Sequence, residues 1–270
     1  MSHPHPLDQT LTLTPQSTSA TGDAVFGGRI LPAYGNMIGP YGGIIAALLL
    51  KAILQNDQRK GDPLGITINF AAPLDDSELS ITTQLVRNNR SSQHWNVSLS
   101  QQGQIAVTAS SVFSVQRDSW ADQELPLPPV PAADTLKSLP TAGMPAWAAN
   151  YDMRMIKGWV TLQPDHQSDD STRTLWVRDN PPRALDFPAL LAISDCFFPC
   201  IFVRKQQLVP TGTITLTTYF HATPDELAQQ GDQFLLASAR ANRFHNGFSD
   251  QTGHIWSATG ELLVSTHQLV

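Results

Sequence analysis

Asp195 stands in an apolar run, with Leu190, Leu191 and Ile193 before it and Phe197 and Phe198 after it. Read as a helix over 186–200, the run places Leu191 four residues before Asp195 and Phe198 three after, on the same face. A carboxylate there is costly unless it is paired or has chemical work to do. Desolvation raises its pKa and makes it a stronger base, which suits abstraction of a proton from water; the plainer role is a structural carboxylate bonded to a nearby hydroxyl or backbone group. Gln268 and Thr213 fall on predicted strands of the same half, where an amide and a hydroxyl can place a water or a carbonyl without adding charge. Each of these two is equally readable as an ordinary strand residue. Gly39, Pro40, Gly42 and Gly43 precede a second apolar run, a pattern that lets backbone approach another group closely.

Other chemistries lack their residues. The eight histidines contain no close ligand pair beyond His3 and His5 near the start, so a metal enzyme is disfavoured. Cys196 and Cys200, spaced for one side of a helix and without a second ligand pair, read as two buried structural thiols. There is no nucleophile elbow, phosphate loop or dinucleotide fingerprint.

The elements that must position these residues are laid out twice. Phe70 matches Phe220, Asn89-Arg90 matches Asn242-Arg243, and Gly103 matches Gly260, so the chain reads as one unit built two times. At the matching ends the first copy has Ser110-Ser111 where the second has His267-Gln268, a polar difference suggesting that one copy carries the chemistry. In the first copy, residues 43–54 are apolar all round and predict an enclosed helix. Alternating runs over 67–72, 79–88, 94–101 and 105–116 predict long antiparallel strands. The second copy repeats the order, with strands over 151–159 and 172–179, a helix over 186–200 capped by Asp186, and four strand-like runs ending at Gln268. Between the copies, 121–148 is rich in proline and alanine and reads as a linker between units 1–120 and 149–270, with a short helix near Leu136.

With 270 residues, each copy is long enough for its own core. The 17 basic and 23 acidic side chains give a formal net charge of −6, without the basic excess that holds nucleic acid. Charged residues are only 15 % of the chain, which favours burial of some surface against another subunit, as in a homo-oligomer. No secretory pattern opens the sequence and no apolar run reaches the ~20 residues needed to span a bilayer, so a cytoplasmic protein is expected.

The pieces TLWVRD, LLAISDCFFPC, TGTITLTTYFHA and GELLVSTHQ, together with GPYGGIIAALLLKAI in the first half, closely resemble acyl-CoA thioesterase II and related double-hotdog thioesterases across nearly the whole chain. The resemblance implies an α+β fold of two tandem hotdog units, each a long antiparallel sheet wrapped around a central helix. It implies hydrolysis of an acyl-CoA without cofactor or metal. Asp195, Thr213 and Gln268 would orient and activate the water, with Thr211, Thr215 or Thr217 able to replace Thr213 after a small strand slip. Gly42 and Gly43 would offer backbone N–H groups to the thioester oxygen. Asn36 and Tyr41 occupy the Asn and His positions of a pattern found in single-hotdog thioesterases, with tyrosine in place of histidine. Ser257 departs from the acidic residue of the family. A noncatalytic acyl-thioester-binding protein is the alternative, and an enoyl-CoA hydratase, suggested by Asp179-Asn180-Pro181 but lacking the right spacing and its histidine, is a weaker one.

Overall fold

The computed structural model describes residues 4–162 and 167–270. The first half contains α1 (Pro6–Thr10), β1 (Thr14–Thr18), β2 (Ala24–Gly28), α2 (Gly42–Leu54), β3 (Asp62–Phe70), β4 (Leu79–Asn88), β5 (Ser92–Gln101) and β6 (Gln104–Ser114). The second contains β7 (Tyr151–Lys157), β8 (Arg173–Asp179), α3 (Phe187–Ile193), α4 (Cys200–Lys205), β9 (Thr215–Phe220), α5 (Pro224–Gln230), β10 (Leu235–Arg240), β11 (Phe244–His245), β12 (Phe248–Trp256) and β13 (Leu262–Leu269). The strands form one antiparallel sheet in the order β1-β2-β4-β5-β6-β3-β9-β13-β12-β10-β8-β7, with β11 paired on β12. This is a double hotdog.

α2 is the enclosed helix that its composition predicts, because an apolar surface on every side needs cover on every side. Ile44, Ala46, Ala47, Leu48, Leu49, Leu50 and Ile53 have no exposed surface. Each of the larger side chains contributes about 1.5–3 kcal/mol through burial. The helix packs on β4 and β5 and, from the other half, on α3.

The halves join edge to edge through β3 and β9. Thr67 pairs with Thr217, and their hydroxyls meet at 3.1 Å, as a local two-fold between the copies requires. The register carries that symmetry outward. Ser111 faces Ile66 as Gln268 faces Leu216, so Ser111 and Gln268 are structural counterparts, as the sequence pairing suggests.

The connection between the halves lies on the sheet. Leu127, Val130 and Leu136 cover Trp176, Leu236 and Trp256, and the Trp176 indole N–H donates to the Pro131 carbonyl at 2.9 Å. A surface that would otherwise expose two tryptophans explains why a proline-rich segment is held there.

Candidate active site

The run 186–200 is two helices and a bend, and Asp195 lies in the bend. α3 ends at Ile193, Ser194 turns its hydroxyl back to the Leu191 carbonyl at 2.8 Å, and α4 begins at Cys200. Pro199 explains the division, since it has no N–H to donate and disfavours helical geometry in the residue before it. Cys196 therefore sits in the bend and Cys200 opens α4, so the expected single helical side is corrected. Both are buried free thiols, and burial pushes the Cys200 thiol up to about 12.

The bend aims the Asp195 carboxylate at the start of α2. The Gly43 backbone N–H is near enough to favour its ionised form, and a methyl group on Gly42 would stand 2.7 Å from Oδ2. At Gly43 a methyl group would meet the Ala192 carbonyl oxygen at 2.4 Å. These glycines let the start of α2 pack closely against the end of α3, with the positive pole of a 13-residue helix at the carboxylate. The Gly43 N–H thus favours the ionised form of Asp195.

Gln268 completes the grip, its Nε2 donating to Asp195 Oδ1 at 2.7 Å. Burial is the largest influence on this carboxyl and raises it to about 7; the bonds from Gln268 and Gly43 oppose the rise. Near neutral pH the group is divided between acid and carboxylate, the state in which it can take a proton and later return it.

Sequence reasoning missed Gln251. It pairs directly with Gln268 across β12 and β13, its Oε1 accepts from the Cys200 N–H at 3.0 Å, and its Nε2 reaches Gln268 Oε1 at 3.4 Å. The Cys200 donor fixes which end of the Gln251 amide faces Gln268, and this fixes which end of Gln268 faces Asp195. In the first half the counterparts of Gln251 and Gln268 are Trp95, which is 1 % exposed, and Ser111, whose hydroxyl is spent on the Gly65 carbonyl at 2.8 Å. The amide pair exists only in the second copy, and only the knowledge of which residues face each other across the strands reveals it.

Asp195 opens on a largely apolar cavity of about 390 Å³ that Asn36, Tyr41 and Thr213 also line. Thr213 is not on a strand, because β9 begins at Thr215; it belongs to the loop before it, half-buried on the cavity wall. Of the substitutes, Thr211 lines the cavity and Thr215 and Thr217 do not. Asn36 accepts a bond from the Trp147 indole at 3.3 Å. Tyr41 stacks on Trp147 with centroids 4.3 Å apart and donates to the Ala192 carbonyl at 2.6 Å, so its ring forms wall. Asp179 lies at the end of β8, buried and outside this cavity.

Residues 122–270 match the family described as acyl-CoA thioesterase C-terminal domain, and residues 31–114 match its N-terminal counterpart. The chain belongs to the acyl-CoA thioesterase family. A conserved protein of unknown function with a hot dog fold from Alicyclobacillus acidocaldarius is 38 % identical, with a TM-score of 0.91 over 98 % of this chain and 97 % of that one. Two more distant neighbours share the fold of this thioesterase-family chain. A putative thioesterase II from Thermobifida fusca has 16 % identity and a TM-score of 0.81, covering 97 % of this chain and 96 % of its own. The acyl-CoA thioesterase II TesB2 from Mycobacterium marinum has 16 % identity and a TM-score of 0.73, with the same coverage. No curated protein matches the chain.

Proposed function

We propose that this member of the family hydrolyses an acyl-CoA to the free acid and CoA, with Asp195 as general base. The observation that carries the reading is the Asp195–Gln268 contact of 2.7 Å beside an apolar cavity, in surroundings that bring the carboxyl to about 7. In this reading the acyl chain lies in the cavity, and a water rests between Asp195, the Thr213 hydroxyl and the second N–H of Gln268. Asp195 takes a proton from that water as its oxygen attacks the thioester carbonyl carbon. Negative charge develops on the carbonyl oxygen, near the first turn of α2, where the Gly42 N–H and the helix pole favour it. Collapse of the tetrahedral species breaks the C–S bond, and the proton held by Asp195 passes to the departing thiolate. CoA thiolate is a good leaving group, so the water route needs no covalent acyl-enzyme.

The test is thiol release from acyl-CoAs of graded length by the wild type and Asp195→Asn. Loss of a positioned base is expected to cost about 10² or more in turnover. Hydrolysis undiminished in Asp195→Asn removes the carboxylate from the mechanism, and a wild type that binds acyl-CoAs without releasing thiol is the noncatalytic binding protein instead.

A further inference from the structure

Arg173 is a second charged side chain on the cavity wall, and the hydrolytic mechanism leaves it without a task. It opens β8 on the inward set with Leu175 and Val177, a place for apolar side chains, and it is 4 % exposed. Among the described residues its guanidinium has no carboxylate partner, and its Nε is buried without an acceptor. The nearest aromatic is Phe198, whose ring centroid lies 5.0 Å from Cζ. Neither thiol that influences it, Cys196 or Cys200, is ionised at neutral pH, because burial raises both. Asp195 is engaged by Gln268 and is not among the influences on Arg173. Burial pushes the guanidinium down only to about 10, so it stays cationic.

An uncompensated buried cation costs the folded protein stability, and an anion arriving with a ligand removes that cost. We infer that Arg173 receives a carboxylate at the far end of the acyl chain, so that the preferred substrates are ω-carboxyacyl thioesters rather than simple fatty acyl thioesters. This deepens the thioesterase reading and rests on it. The location selects the source of the anion. The exposed side chains of the lining are Met37, Trp159 and Leu208, at 62 %, 53 % and 62 %, and they mark the outer rim. The hydrated phosphates of CoA belong at such a rim, while the enclosed guanidinium is placed for a group carried on the acyl chain. Its planar fork suits a carboxylate, which it can hold through two parallel bonds.

The experiment pairs ω-carboxyacyl-CoAs of four to ten carbons with unsubstituted acyl-CoAs of equal length, using wild type, Arg173→Met and Arg173→Lys. Wild type should favour the carboxylated member at its best length by about tenfold or more in kcat/KM, the worth of a buried charge-assisted contact. Arg173→Met should lose that preference, its kcat/KM falling further on the carboxylated member of each pair than on the unsubstituted one, and Arg173→Lys should recover part of it. The melting temperature of ligand-free Arg173→Met should hold or rise, since an isolated buried charge has been replaced by an apolar side chain. A wild-type preference for unsubstituted chains at every length, or an equal loss on both series in Arg173→Met, overturns the inference and leaves hydrolysis standing. N-acetylcysteamine thioesters repeat the comparison without phosphates. An Arg173 effect that disappears with them, and that ignores the ω-group with CoA, assigns the residue to phosphate and also overturns it. If wild type hydrolyses neither series, binding of the thioether analogues decides: Arg173-dependent preference for the ω-carboxylate sustains the inference while the hydrolytic reading fails, and indifference to the ω-group defeats both.

Discussion

A carboxyl held at about 7 by burial has consequences for activity and for stability that run in opposite directions. As a base Asp195 must be ionised, so kcat/KM should rise with pH through an acidic limb near 7 and then level, and a limb at the ordinary carboxylate value near 4 would refute this assignment. For stability, the folded state holds its proton more tightly than the unfolded chain. The stabilising effect of that proton is complete below about 4, declines as pH rises towards 7, and is absent above that. Asp195→Asn should therefore have a melting temperature that gains on the wild type across this window, with a gap worth a few kcal/mol at pH 8. Gln251→Leu should act through Gln268. With its partner gone, the Gln268 amide can turn its oxygen to Asp195, which should lower kcat by about tenfold, the value of one buried hydrogen bond, and shift the acidic limb upward. An unmoved limb with reduced kcat would make Gln251 merely structural. Asp195 was legible as a charge in apolar company, and Gln268 as a departure between copies. Thr213 was not placed, because threonines at 211, 213, 215 and 217 give strand-like alternation to a stretch that is partly loop. Arg173 falls within the strand read over 172–179, and its burial on the cavity wall without a carboxylate partner emerges only in the fold.

At the scale of elements, the candidate site is a junction of helix ends. The C-terminus of α3 would repel a carboxylate, and the N-terminus of the longer α2 attracts it, so the close approach of the start of α2 makes the charge tolerable. The meeting depends on the absence of side chains at two positions. Gly42→Ala puts a methyl group against Asp195 Oδ2 and should displace the carboxylate more than it disturbs the helix, lowering kcat at least tenfold with a stability change under about 1 kcal/mol. Gly43→Ala meets backbone, the Ala192 carbonyl, and should cost several kcal/mol because neither helix can yield without moving. Activity assays alongside urea denaturation separate the two effects, and equal behaviour of both variants would contradict this division. The enclosed α2 and the strands β3 to β6 and β7 to β10 were legible from hydrophobic period. β1 was not, because all five of its residues are exposed and no alternation marks it. The α3–α4 break was hidden in a continuous apolar run, where Pro199 was the one local sign.

Across the whole molecule, the candidate site is one that neither copy contains alone. Gly43 comes from the first half and Asp195, Gln251 and Gln268 from the second, joined by the α2–α3 contact and by the β3–β9 pairing. The two copies share the scaffold, and Trp95 and Ser111 stand in the first where the second has the amide pair. Such a junction should also make unfolding common to both halves. Ile68 has no exposed surface and pairs with Leu216 across the junction. Ile68→Ala should destabilise the protein by about 2–5 kcal/mol through the lost burial and the cavity left behind. Native-state hydrogen exchange reads the extent of the loss. Core amides of β5 in the first half and β12 in the second should lose the same protection, because each half relies on the other to cover its helix and its sheet edge. Loss confined to β5 would show two independently stable halves and would detach the integrity of the site from that of the junction.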